Sequence, residues 1–285
     1  MKKDIVASSN YSEPCESFQT VSATESFITS ENHFPLKQQL IDAITYDEFE
    51  LFYQPQTEVS NNKVIGVEAL LRWHSPEFGM IYPANFIPAA ESFGLISELG
   101  NLVIEKACVQ ASVWKKKYAN NIRIAINVSY LQVQNNNVVE LVDRSLSKHD
   151  IEPCRLEIEL TESSLVKDVT KVVSVLNQFK EMGVRTAIDD FGTGYSSLSN
   201  LARMPFDMIK IDRSFINMLG LNVATTTITE AIIQLSKSLH MEVLAEGVET
   251  KNQLNILSTN QCDYMQGNLI CRAVSAEMLP CFVTM

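Results

Sequence analysis

The 285-residue sequence contains no run of about 18 apolar residues, and residues 1–25 lack the apolar core of a secretory leader. Neither a membrane span nor a signal peptide is therefore expected. Basic residues are in deficit, with 23 Lys and Arg against 34 Asp and Glu, for a net charge of −11 and an isoelectric point near 4.9. That balance argues against general attraction to a nucleic acid polymer or an anionic membrane. A phosphate-bearing ligand would have to be held by a few local groups or by metal ions. The six cysteines (Cys15, Cys108, Cys154, Cys262, Cys271, Cys281) show no C-x-x-C spacing and no dense framework. They read as reduced thiols of a cytoplasmic protein, several of them in apolar surroundings, rather than as bridges or zinc ligands. The four histidines (His33, His74, His149, His240) read as surface or helix residues.

What is present is a core-forming composition, 46% hydrophobic and 20% charged, on a chain close to the roughly 250 residues of a closed (β/α)8 barrel. Residues 1–34, rich in Ser, Thr, Glu and Asn, read as a polar tail, and residues 35–285 as one domain. No segment reads as a sensor domain. A helix is expected near Leu36–Ile44, then a strand at Glu50–Gln54, a turn at Ser60, Asn61 and Asn62, and a strand over residues 63–73. So short a turn makes those two strands antiparallel. Beyond them strands and helices alternate. Strands are expected at Ile122–Val128, Leu156–Leu160, Thr186–Asp189, Met208–Ile211, Glu242–Ala245 and Tyr264–Leu269, with helices between, including one at Ser197–Met204. The fold class is therefore α/β, and a count near eight strands predicts a TIM-type barrel variant with one antiparallel strand.

The chemistry collects at strand ends. In RTAIDDFGTGYSSL a strand runs into Asp189 and Asp190 with no base between them, followed by a Gly-Thr-Gly turn at Gly192–Gly194. Adjacent carboxylates repel unless a cation separates them. Other strands repeat the arrangement with Glu68, Asn127, Glu159, Lys210, Glu246 and Gln266. Period-two alternation turns Asn127 and Glu159 toward the barrel axis and puts Glu68 and Arg72 on one side. In a (β/α)8 barrel these ends converge on one face. Five carboxylates in one bowl require cations, and the all-oxygen set Glu68, Asn127, Glu159, Asp189, Asp190 and Glu246 suits Mg²⁺ or Mn²⁺. Two such ions about 3.5–4 Å apart are the usual apparatus for displacement at phosphorus, so a metal-dependent phosphodiesterase or phosphatase is expected.

Seven ordered motifs carry a resemblance: Glu68-Ala69-Leu70 in VEALLRW, Asn127-Val128-Ser129, ELTES at 159–163, DDFGTGYSSL at 189–198, KID at 210–212, AEGVET at 245–250 and CDYMQG at 262–267. Together, over about residues 36–280, they resemble the EAL-domain family of cyclic di-GMP phosphodiesterases. The resemblance implies hydrolysis of cyclic di-GMP to linear pGpG. It implies one metal held by Glu68, Asn127, Glu159 and Asp189, and a second among Asp189, Asp190 and Glu246. Lys210 resembles the lysine that holds the attacking water and the phosphate. Gln54, Arg72, Glu249 and Gln266 resemble groups around the phosphate and guanine. Glu162 resembles the anchor of the glycine loop, which makes Phe191–Ser197 the regulatory element, and a homodimer is implied.

Two positions depart from the family pattern: Asn268 stands where Tyr is common, and Ala273 where proline is common. They put affinity and local rigidity in question. No diguanylate cyclase signature accompanies the barrel. Two other readings stay open: a non-catalytic cyclic di-GMP receptor or protein-interaction module, and a metal-dependent phosphatase or nuclease of different substrate.

Overall fold

The computed structural model describes residues 33–118, 122–135, 137–165, 167–194 and 198–279. The expected polar tail thus lies, except for its last two residues, outside the described residues. The elements in chain order are α1 (His33–Thr45), β1 (Phe49–Glu58), β2 (Val64–Ser75), β3 (Gly79–Ile81), α2 (Pro83–Ser92), α3 (Ile96–Tyr118), β4 (Arg123–Asn127), α4 (Tyr130–Gln134) and α5 (Val138–His149). They continue with β5 (Leu156–Thr161), α6 (Val169–Met182), β6 (Arg185–Phe191), α7 (Leu198–Leu201), β7 (Met208–Ile211), α8 (Arg213–Asn217), α9 (Val223–Ser238), β8 (Glu242–Ala245), α10 (Lys251–Thr259), β9 (Tyr264–Gln266) and β10 (Val274–Ser275).

Eight strands close a barrel in the order β1-β9-β8-β7-β6-β5-β4-β2, and the β2–β1 pairing completes the ring. β1 is antiparallel to both of its neighbours, while the other barrel neighbours pair in parallel. This is the α/β barrel variant expected from the strand count and the short turn at 60–62. β3 and β10 are short strands added to the rim on β2 and β1.

Two layers of side chains hold the barrel. Outward residues such as Ile124, Ile126, Ile158, Leu160, Ile188 and Ile209 are buried against the helices in one continuous core. Burial of such side chains is the dominant favourable contribution to folding. Among the described residues the interior carries a small apolar cluster of Ala187, Met208 and Leu244 with Tyr264. Beneath it, at the amino ends of the strands, Glu157 pairs with Arg123 and Arg185, and Glu242 pairs with Arg185 and accepts from Tyr264. Above it lie the acids of the site.

Several boundaries differ from the sequence expectation. The first helix begins at His33, and β1 runs to Glu58 because it has β2 and β9 as partners along its length. β9 stops at Gln266, before the expected Leu269: a Cβ on Gly267 would lie 2.2 Å from the Val248 carbonyl oxygen, so the chain there abuts the loop after β8. α7 runs Leu198–Leu201 and ends before the expected Met204, while Ser197 lies outside the described residues. Among the cysteines, Cys108, Cys262 and Cys271 are buried thiols, whereas Cys154 is exposed. Cys15 and Cys281 lie outside the described residues.

Candidate active site

Lys210 is at the centre. It is fully buried on β7, and its Nζ lies 2.8 Å from each of Glu159 Oε2, Asp189 Oδ1 and Glu246 Oε1, and 3.5 Å from Glu68 Oε2. Burial opposes its charge, but these four carboxylates outweigh burial and hold its pKa well above the ordinary lysine value. The acids do not share one response. Burial drives Glu159 and Glu246 well above the usual carboxylate range, Lys210 offsetting only part of the effect. Glu68 is also buried, yet Lys210 and hydrogen bonds from Gln266 and Asn127 keep its pKa below the ordinary value. One ammonium does not balance five ionised carboxylates: with all of them ionised the cluster would hold surplus negative charge.

Asp189 and Asp190 are adjacent, so a regular strand would send them to opposite faces. Asp190 instead takes the left-handed conformation with φ 53°, and the β6–β7 register breaks between Ile188 and Phe191. Aspartate tolerates this region better than most residues, and a bulge of this kind re-aims a side chain. The result is that Asp190 joins Asp189 and Glu246 in a triad of oxygens lying within 4.8 Å of one another. Glu68, Glu159 and Asp189 form a second such triad, and Asp189 belongs to both. Burial, then the neighbouring Asp189 and Asp212, push the Asp190 carboxyl up to about 6.

The residues present fit divalent cations. Glu159 Oε1 is buried with no hydrogen-bond partner, the triads offer only oxygen, and Asn127 sits beside them, its Nδ2 donating to Glu68 Oε1 at 2.8 Å. Hard oxygen donors of this number suit Mg²⁺ or Mn²⁺.

The other expected residues fall around this bowl. Gln266 Nε2 donates to Glu68 Oε2 at 2.6 Å and to Gln54 Oε1 at 3.0 Å, and Gln54 donates to the Cys271 carbonyl. Gln54, Glu249 and Gln266 line a cavity of about 360 Å³ together with Asp189, Asp190 and Glu246. Glu249 Oε1 accepts from Asn268 Nδ2 at 3.0 Å, so the first departure from the family pattern is tied to an expected substrate group. Arg72 does not line this cavity; its guanidinium lies over the rings of Phe52 and Tyr82. A second cavity, of about 540 Å³, borders Asp189 and Asp190 from the side of β4 and α2. Glu162, in a short 3-10 turn after β5, accepts from the backbone N–H of Gly192 at 2.8 Å and of Gly194 at 3.0 Å. The remainder of the expected regulatory element, residues 195–197, lies outside the described residues.

Sequence reasoning missed the interior acid Glu157, although LEIEL places it two residues before Glu159 on the same face. It gave Asp212 no role beyond its place in the KID motif and missed Arg213, both in the cavity wall, because they follow a strand as ordinary loop residues would.

An EAL-domain family model matches residues 37–273. The bifunctional diguanylate cyclase/cyclic di-GMP phosphodiesterase MucR of Pseudomonas aeruginosa is 40% identical over 250 residues, 88% of this chain and 36% of its own length. The cyclic di-GMP phosphodiesterase NbdA of the same organism is 36% identical over 248 residues, 87% of this chain and 32% of its own length. The chain thus spans about a third of the length of these curated relatives. A solved structure of the PaMucR phosphodiesterase in complex with c-di-GMP superposes with a TM-score of 0.82 at 41% identity, covering 86% of this chain and 99% of that one. The EAL enzyme Bd1971, with cAMP and cyclic di-GMP bound, superposes with a TM-score of 0.85 at 29% identity, covering 90% of this chain and 70% of that one.

Proposed function

From the premise that this chain belongs to the EAL-domain family, we propose that it is a metal-dependent phosphodiesterase that opens cyclic di-GMP to linear 5′-pGpG. The observation that carries this reading is the convergence of Glu68, Asn127, Glu159, Asp189, Asp190, Lys210 and Glu246 on one barrel mouth as two oxygen triads sharing Asp189.

Glu68, Asn127, Glu159 and Asp189 would hold one Mg²⁺ or Mn²⁺, and Asp189, Asp190 and Glu246 a second. Bound there, such ions supply Lewis-acid charge and lower the pKa of water toward neutrality. The chain's own groups do the rest. Lys210 remains cationic and puts fixed positive charge beside the position where negative charge develops on the phosphate. Gln54 and Gln266 present side-chain amides, and Glu249 a carboxylate, to a ligand in the adjoining cavity. The water oxygen bonds to phosphorus, the bond from phosphorus to the 3′ oxygen breaks, and that oxygen leaves with a proton. The product keeps a 5′-phosphate. Glu162 holds the backbone of the glycine loop next to Asp190 and couples that loop to the site.

The direct test is to incubate purified protein with cyclic di-GMP and Mg²⁺ or Mn²⁺ and to resolve pGpG by chromatography, with a chelator as control. Turnover that the chelator abolishes supports the enzyme. Binding without turnover selects the receptor reading. A homodimer is the assembly proposed for the active form, checked by sedimentation alongside activity against protein concentration. Among the described residues no helix is long and apolar enough to cross a membrane.

A further inference from the structure

Arg72 is a cation in an unusual position. It is only 9% exposed, and among the described residues its one hydrogen bond runs from Nη1 to the neighbouring Leu71 carbonyl at 2.8 Å. None of the ion pairs among the described residues includes it. Buried charges are ordinarily paired, and a guanidinium has five N–H donors to satisfy. Two aromatic rings lie against it, its central carbon 4.9 Å from the ring centroid of Tyr82 and 5.7 Å from that of Phe52, and the charge of Glu68 favours it from a distance. The cation lies over both rings, and among the described residues most of its hydrogen-bonding edge is uncommitted.

The chain makes a detour to place Tyr82 there. After β2, residues 76–78 turn and Gly79, at φ 70°, admits the reversal. β3 then pairs back antiparallel onto β2 with Ile81 opposite Trp73, which brings the next residue level with Arg72. Tyr82 precedes Pro83 and is held extended, with φ −89° and ψ 153°. Its backbone is thereby fixed, and Tyr82, 54% exposed as a residue, sets its ring against the Arg72 guanidinium. Arg72 lies on the same face of β2 as Glu68, four residues and about 13 Å further along the strand. A nucleotide whose phosphate is at the acids can reach that far with its base.

We propose that Tyr82 is a positioning residue for substrate recognition: clamping the Arg72 guanidinium against Phe52, it aims the free N–H edge at the acceptor edge of a guanine base. Guanine offers adjacent O6 and N7 acceptors that match a guanidinium fork. This inference rests on the reading of cyclic di-GMP as substrate, and it assigns to the β3 flap the work of setting affinity for the base rather than the chemistry.

The experiment compares Y82S and Y82F with the parent protein in steady-state hydrolysis of cyclic di-GMP, and repeats Y82S in an R72A background. Loss of a stacked cation contact should raise KM roughly 5- to 20-fold in Y82S with kcat retained. Y82F, which keeps the ring, should stay within about twofold of the parent in KM. In the R72A background Y82S should add nothing, because the contact it removes is already gone. An unchanged KM in Y82S overturns the assignment, as does a fall in kcat with constant KM or a full additional loss in the R72A background. A parent protein that hydrolyses bis(p-nitrophenyl) phosphate and leaves cyclic di-GMP intact overturns the substrate reading instead, and this inference falls with it.

Discussion

Glu68 shows how much one residue of the site is asked to do. It accepts from Asn127 and Gln266, lies 3.5 Å from Lys210 and contributes an oxygen to a triad, all while 5% exposed. Glu68→Ala should lower turnover at least about a thousandfold and leave the circular dichroism spectrum unchanged, because the barrel wall around it is held by other contacts. Near-parental activity in that variant would refute the site as described. Asp190 has a different consequence, visible without metal. Its carboxyl titrates near 6 in the folded chain, against about 3.9 unfolded. The folded state therefore binds the proton more tightly, and the contribution of this group to stability falls as pH rises from about 4 to about 6. Asp190→Asn removes that loss. Denaturation in a chelator should show D190N more stable than the parent by about 1 kcal/mol at pH 7.5, half-exposure having reduced the effect, and no different near pH 4. A D190N variant equal to or below the parent at pH 7.5 would contradict the surplus negative charge.

At the scale of elements, β6 and the turn after it form a unit with the short 3-10 turn that follows β5. Glu162 is 3% exposed and satisfies the N–H groups of Gly192 and Gly194, and a Cβ on Gly194 would lie 2.9 Å from the Glu162 carboxyl carbon. Anchor and glycine fit each other. In Glu162→Ala two backbone donors next to Asp190 lose their acceptor, a cost of about 1–3 kcal/mol for each one left unsatisfied. Turnover should drop about tenfold, and the Mg²⁺ concentration for half-maximal rate should rise. Unchanged kinetics and metal requirement would show the anchor to be dispensable. The motif DDFGTG advertises this element in the sequence, but the left-handed Asp190 that brings both acids to one place does not follow from alternation. It arises where the β6–β7 ladder breaks. The β3 flap was illegible for a related reason: three residues carry too little periodicity to be seen, and its significance depends on register with β2.

For the whole molecule, the barrel has a charged floor as well as a charged mouth. Glu157, fully buried, pairs at 3.3 Å with Arg123 and at 3.2 Å with Arg185. Removing one partner of such a network costs more than the network contributes, because the remaining charges stay buried. Glu157→Gln should destabilise the protein by roughly 2–4 kcal/mol in denaturant titration while kcat at 25 °C stays within about twofold. A variant of parental stability would show that solvent reaches those arginines. The alternation of strands and helices, the antiparallel start and the acids at strand ends were all legible along the chain, because each is a local pattern of period or position. Lys210 too stood out as the one lysine among strand-end acids. The closed ring, the depth of Lys210 inside four carboxylates, the coming together of the triads through Asp189 and the clamp on Arg72 were decided only in three dimensions. Each depends on pairings between residues distant in sequence, and no local propensity encodes the distances at which those side chains meet.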